Sequence, residues 1–236
     1  MRRLVLALQL MTCLPLPPVK ADEGDFAAAI RWFPATGLLV GSVAAAALWL
    51  GARVDPWAGA LLALLAWVAV TGALHLDGLG DIADAAGAAH GDRSRVSAVL
   101  ADPHIGSFGV VAIVLQLISK LVLLRLWAGW LPPWGLIGIA FIARIGPLAW
   151  AVWLPPLHEG LGSRFRQGMA PVHLFLWCVA GLAFCLYQPA LTAAVLLIPL
   201  WAWWLRSRIG GISGDGHGAG IEIVEILLLG VAVLTA

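Results

Sequence analysis

The segment HLDGLGDIADAAGAAHGD, from His75 to Asp92, carries four carboxylates. Asp77, Asp81 and Asp84 follow one another at i, i+4 and i+7, which places them on one face of a helix. Like charges on one face repel unless a cation lies between them. Hard divalent cations take carboxylate oxygens, and Mg2+ typically combines one or two carboxylates with substrate phosphates. The spacing therefore predicts a metal site with Asp77, Asp81 and Asp84 as ligands and a phosphate chemistry around it. His75, directly before them, is a candidate ligand or base, or a hydrogen-bond partner of one of the acids. Gly78, Gly80 and Gly87 allow another backbone or a ligand to come close. Asp92 reads as an ordinary solvated loop acid. Asp102, in LADPHIGSFG, joins the site if its loop folds back.

A second set of charges lies where charge is costly. Lys120 and Arg144 fall deep inside apolar runs, and Glu222 and Glu225 stand one helical turn apart at the start of another. Ionisable groups within membrane spans face the interior of the bundle. The glutamates then face either the Asp77 site or Lys120, as structural ion pairs. The stretch GGISGDGHGAG, with Gly214 and Asp215, can present backbone N–H groups to a phosphate ahead of a helix N-terminus.

The elements that must hold these residues are apolar. Hydrophobic residues make up 61% of the 236 and charged residues 11%, against about 25% charged in a typical soluble domain. The expectation is an all-α, polytopic integral membrane helix bundle in a single domain. Seven runs are long enough to span: roughly 33–52, 57–76, 106–130, 134–154, 172–188, 189–205 and 221–236. The fifth and sixth are separated only by Gln188 and Pro189. Trp32, Trp57, Trp130, Trp134 and Trp153 fall at expected span ends, as an interfacial belt requires. Cys13, Cys178 and Cys185 have no metal-ligand spacing and read as small apolar packing residues. The first residues combine a basic start, an apolar run and a Val19-x-Ala21 ending, as a cleaved signal does. The prolines at 15, 17 and 18 fit an export signal poorly, so residues 1–32 are read as an interfacial or re-entrant segment.

The basic residues alternate across these spans. Arg2, Arg3, Lys20 and Arg31 precede the first; Arg93 and Arg95, Arg164 and Arg166, and Arg206 and Arg208 occupy every second connection. The positive-inside rule puts the N-terminus and these connections in the cytoplasm and the C-terminus outside. The acidic segment, HEGLGSRFR at 158–166 and the glycine-rich stretch then share the cytoplasmic face. A net charge of +1 gives no field suited to nucleic acid. A cation-coupled transporter using intramembrane acids is the alternative from another class. Its sites tend to lie near the midplane between repeats, and no internal repeat is visible.

Several ordered motifs resemble the cobalamin synthases, the adenosylcobinamide-GDP ribazoletransferases. HLDGLGDIADA resembles the family's HLDGLADxxDG signature. LPLP at 14–17 and FPATGLLVG at 33–41 resemble its opening, ADPHIGSFG at 101–109 its KDSRxGxxG element, SKLVLL at 119–124 its lysine-containing span, and GGISGDGHGAGIEIVEI at 210–226 its GGxxGDxxGAxxExxE close. The chain departs at Gly80, where alanine is common, at Ala85 and Ala86 after the third aspartate, and at Ala101 and Pro103-His104. A CDP-alcohol phosphotransferase shares the metal–aspartate logic, but its DGxxAR pattern is missing after Asp77 and Gly78.

The resemblance implies the last steps of vitamin B12 coenzyme assembly at the bacterial inner membrane. Adenosylcobinamide-GDP would join α-ribazole, or its 5′-phosphate, with release of GMP and with Mg2+ as cofactor. A ribose hydroxyl would attack the phosphorus that stays with cobinamide, and one carboxylate would act as general base. It implies catalytic roles among Asp77, Asp81, Asp84, His75, Glu222 and Glu225, and substrate contacts among Asp102, Lys120, Arg93, Arg144, Gly214 and Asp215. Arg93, Arg95, Arg164 and Arg166 are candidate phosphate clamps, because a guanidinium fork matches phosphate oxygens. Each is also accounted for as a topology determinant. Membrane lipid is an expected partner; a homo-oligomer, or contact with other corrinoid-assembly enzymes, is left open.

Overall fold

The computed structural model describes residues 1–88, 95–157 and 159–236. Asp92, Arg93 and His158 lie outside the described residues. The described residues are mostly helical: α1 (Arg2–Met11), α2 (Glu23–Ala28), a 3-10 turn (Ala29–Trp32), α3 (Phe33–Gly51), α4 (Pro56–Thr71), α5 (Leu74–Ala88), α6 (Val96–Leu100), α7 (Ser107–Trp130), α8 (Gly135–Ala143), α9 (Gly146–Trp153), α10 (Leu161–Gly168), α11 (Pro171–Tyr187), a 3-10 turn (Pro189–Ala193), α12 (Ala194–Arg208) and α13 (Gly214–Leu234).

Among the described residues five helical stretches are long and apolar enough to cross a membrane, and six if α4 and α5 count as one broken span. The 17-residue α11 is shorter and apolar, at the lower limit of what crosses a bilayer. The expected seven are reached only by including it. Gln188 and Pro189 do separate two helices, α11 and the stretch that ends in α12. Lipid-side surfaces are as apolar as a bilayer requires: Leu61, Leu65, Val111, Leu115, Phe175 and Leu182 are all exposed. Trp32, Trp57, Trp130, Trp134 and Trp153 are exposed too. The cysteines differ from expectation, since Cys13 and Cys178 are exposed and Cys185 is half-buried.

In lipid, burial of apolar side chains drives helix association weakly, so close backbone packing has to supply the attraction. Small residues do this on α3. A Cβ added at Gly41 would lie 2.6 Å from the Ile137 Cα of α8, and one at Gly51 would lie 2.7 Å from the Ala58 carbonyl of α4. The centre of the bundle is filled by Trp67, Trp127 and Trp150, all fully buried.

Two helix boundaries differ from the sequence reading, and both matter for the site. The apolar run 57–76 does not continue into the acidic segment. Gly72 and Ala73 take left-handed backbone angles, φ 60° and 58°, and α5 leaves at 84° to α4. The N-terminal segment braces this corner: the Cys13 N–H donates to the Val70 carbonyl at 3.0 Å. The glycine-rich stretch is not a loop. Ser213 accepts from the Gly216 N–H at 3.1 Å and caps α13, which therefore starts at Gly214.

Candidate active site

α5 is wedged between the N-terminal ends of α7 and α13. Its contact with α13 is backbone to backbone: a Cβ added at Gly78 would lie 2.9 Å from the Asp215 carbonyl oxygen. This is the close approach for which a glycine beside Asp77 was expected, and it brings Asp215 to the acidic face. The charges acting on Asp81 are, in order, those of Asp215, Asp77 and Asp84.

Three of these four acids stand at helix starts. Asp77 lies in the first turn of α5 and Asp215 in the first turn of α13, where the helix dipole favours negative charge. Asp84 serves the start of α7. That helix has Gly106 at its N-cap and no side chain to close its first turn. Asp84 closes it from across the fold, accepting the Gly106 N–H at 2.7 Å and the Gly109 N–H at 2.9 Å. These are the two amides that a capping box satisfies within one chain segment. Both Asp84 oxygens are thus engaged at the start of α7, a use that the shared face of Asp77, Asp81 and Asp84 did not foresee. Among the described residues no three His, Cys, Asp or Glu side chains stand ready together to hold a metal.

Asp77 is exposed and Asp81 half-buried, and neither makes a side-chain hydrogen bond or ion pair among the described residues. Asp81 sits in mid-helix, without a dipole to offset its neighbours. The donor chemistry therefore fits a hard cation bound by one or two carboxylates, with water and substrate oxygens completing its shell. Asp77 and Asp81 are the residues that would hold it, with the charge of Asp215 beside them. Gly214 and Asp215 form the first turn of α13, half-buried at the end of the bundle where Asp77 and Asp81 lie.

The other predicted residues lie elsewhere. His75 is buried, with Nε2 3.4 Å from the Met11 Sδ and no hydrogen bond to an acid; its expected role as ligand or base is not supported by this placement. Asp102 does not fold back. It is exposed and accepts from the His104 N–H at 3.0 Å and pairs with Nδ1 at 2.7 Å, which holds its carboxyl below the usual carboxylate range.

Lys120, Arg144, Glu222 and Glu225 form an ion-paired network inside the bundle, with Arg144 Nε and Nη2 left without a hydrogen-bond partner among the described residues. The Lys120 Nζ donates to Glu222 Oε2 at 3.0 Å and to Glu225 Oε2 at 2.7 Å. The Arg144 Nη1 donates to Glu225 Oε1 at 2.8 Å. All four are buried, and two cations meet two anions. Lys120 also lies 4.4 Å from the Trp67 ring centroid. Of the two readings open for the glutamates, the structure places them against Lys120. This ion pairing ties α7 and α13 to the Arg144 corner between α8 and α9 and accounts for all four charges structurally, beside the substrate contacts expected of Lys120 and Arg144 and the catalytic roles expected of Glu222 and Glu225.

Gln116 completes the network unannounced by the sequence reading. Its amide donates to the Glu222 carbonyl at 2.9 Å and to Glu222 Oε2 at 2.7 Å. The available signal was its position one turn before Lys120 on an otherwise apolar helix.

The profile of the cobalamin-5-phosphate synthases matches residues 3–233. The chain is 55% identical over 238 residues to the adenosylcobinamide-GDP ribazoletransferase of Novosphingobium aromaticivorans, covering 99% of this chain and 97% of that one. It is 47% identical over 247 residues to the enzyme of the same name from Thiobacillus denitrificans, covering 100% and 98%. With that from Deinococcus radiodurans the identity is 37% over 241 residues, covering 97% and 84%. No solved structure matches the chain. A profile that runs almost end to end, together with relatives 55% and 47% identical along nearly the whole chain, shows that the chain belongs to the cobalamin-5-phosphate synthase family.

Proposed function

We propose that the chain joins adenosylcobinamide-GDP to α-ribazole, or to its 5′-phosphate, and releases GMP. The observation that carries this reading is the meeting of Asp77 and Asp81 with Asp215 where α5 crosses the start of α13. A ribose hydroxyl oxygen forms a bond to the phosphorus that stays with cobinamide. The bond from that phosphorus to the GMP oxygen breaks, and the hydroxyl proton passes to a carboxylate. Asp84 is committed to two N–H donors at the start of α7. Asp77 and Asp81 carry no such donors, and we assign the base to one of them.

Mg2+ is the proposed cofactor: bound by Asp77 and Asp81 beside Asp215, it would supply positive charge against the pyrophosphate and the departing phosphate. Asp215 in the first turn of α13 lies beside Asp81, so the positive end of that helix dipole stands at the same place. The arginine pattern supports a bacterial inner-membrane location with this end of the bundle in the cytoplasm and Ala236 outside.

The test mixes purified protein in nanodiscs with adenosylcobinamide-GDP and α-ribazole, with and without Mg2+. GMP and the complete corrinoid are expected only with the metal. Asp77→Asn and Asp81→Asn should abolish turnover while membrane insertion stays intact. Near-normal turnover in both variants at limiting Mg2+ would remove the assignment.

A further inference from the structure

α2 and α10 enclose a polar cleft of about 400 Å³ at the surface. Its walls carry three guanidinium groups, Arg3, Arg31 and Arg164, and three carboxylates, Asp22, Glu23 and Asp25. No aromatic side chain lines it. The walls are built to stay together. A Cβ added at Gly168 would collide with the Ala27 carbonyl, so a glycine lets α10 close on α2. The Arg31 Nε donates to the Gly168 carbonyl at 2.6 Å and ties the 3-10 turn to the end of α10.

Half of these charges are engaged within the walls. Arg3 donates through Nε to Asp25 at 3.0 Å, and Asp22 caps α2 by accepting the Asp25 N–H at 2.6 Å. The other half are not. Both Nη groups of Arg31 are without a partner among the described residues. Arg164 has only Glu23 near it, 3.9 Å away and beyond hydrogen-bond length. Two guanidinium forks and one carboxylate are thus left, opposite signs within one cleft.

The chain sets the depth of this cleft. Residues 22–31 run directly into α3, and residues 164–168 come just before α11, so the cleft lies where two apolar helices begin. Next to Arg31, Trp32 and Trp177 meet edge to face with ring centroids 6.2 Å apart, and the Trp177 Nε1 donates to the Arg31 carbonyl at 2.6 Å. Tryptophans so placed mark the headgroup level of a bilayer. Trp32, Val172 and Phe175 are exposed at this end of α3 and α11, an apolar surface for acyl chains.

We propose that the cleft seats the headgroup of a phospholipid that carries a phosphodiester and a primary ammonium, as in phosphatidylethanolamine. The phosphate oxygens lie against the forks of Arg31 and Arg164, which match them in shape and charge. The ammonium lies against Glu23. A primary ammonium has three N–H donors for a carboxylate. The quaternary ammonium of phosphatidylcholine has none and is held by aromatic cages, which these walls lack. Phosphatidylglycerol offers the phosphate and no cation for Glu23.

The test places the full chain in nanodiscs of equal parts phosphatidylethanolamine, phosphatidylglycerol and phosphatidylcholine. Native mass spectrometry then counts the lipids that stay bound on release. One bilayer presents all three, so its bulk properties act on each alike. Phosphatidylethanolamine should be enriched about two- to fivefold over phosphatidylcholine, the range of an exposed ion pair. Glu23→Gln should bring that ratio toward one, and Glu23→Lys should make phosphatidylglycerol the enriched lipid. The Glu23 side chain is 90% exposed, and a thermal melt checks that each variant is folded; if one is not, the wild-type competition decides. Equal wild-type retention of phosphatidylethanolamine and phosphatidylcholine, wild-type preference for phosphatidylglycerol, or an enrichment unchanged in both folded variants overturns the proposal. Retention is read without turnover, so the result stands apart from the transferase reading.

Discussion

Replacing Glu225 by glutamine separates a structural network from a catalytic one. Glu225 is fully buried and is the only member of its network that contacts both cations, Lys120 at 2.7 Å and Arg144 at 2.8 Å. Glutamine keeps the shape and one acceptor oxygen, but its NH2 group then faces a donor. The network passes from balanced charge to one uncompensated positive charge. Removing one partner of a buried pair costs about 3–5 kcal/mol. Two charge-assisted hydrogen bonds at about 1.5–3 kcal/mol each give about 3–6 kcal/mol, an overlapping range. Thermal unfolding in a mild detergent should therefore shift strongly downward, while GMP released per folded molecule stays near wild type. Lys120→Met combined with Glu225→Gln removes one charge of each sign. Arg144 and Glu222 remain, so the double variant should be less destabilised than the two single losses added together. Wild-type stability in Glu225→Gln would refute the pairing argument. Loss of turnover per folded molecule at unchanged stability would return Glu225 to the active site.

Three further outcomes follow from the same geometry. Asp84→Asn should destabilise the start of α7 by about 1–3 kcal/mol, because the amide offers one acceptor for two N–H donors; hydrogen exchange at Gly106 and Gly109 reads this directly, and unchanged protection would contradict the cross-chain cap. Gly78→Ala puts a Cβ 2.9 Å from the Asp215 carbonyl, so α5 and α13 must part. The overpacking should cost about 1–3 kcal/mol, and turnover should fall further than in Gly230→Ala, where the added Cβ has open space. A reporter fused after Ala236 should give an external signal and one inserted after Arg95 a cytoplasmic signal; a cytoplasmic signal at Ala236 would mean that α11 does not cross.

The sequence by itself determined the environment and the residue types. Long uncharged runs leave the backbone no partner in lipid except itself, so helices follow from composition. The i, i+4, i+7 spacing placed Asp77, Asp81 and Asp84 on one face, because helical periodicity is local. The embedded Lys120, Arg144, Glu222 and Glu225 had to find partners, since an unpaired charge there is too costly. Which partners they found is a tertiary matter. Glu222 and Glu225 are equally able to serve a metal or a lysine, and only the packing of α7 against α13 put them on Lys120. Asp84 looked identical to Asp81 in sequence. It became a cap because a helix start more than twenty residues later has glycine where an N-cap side chain would stand, and the α5–α7 contact delivers one. Asp215 lay within a stretch whose glycines hid its helix. Those glycines let α13 press against α5, and that contact, invisible to any local pattern, carries Asp215 to Asp77 and Asp81.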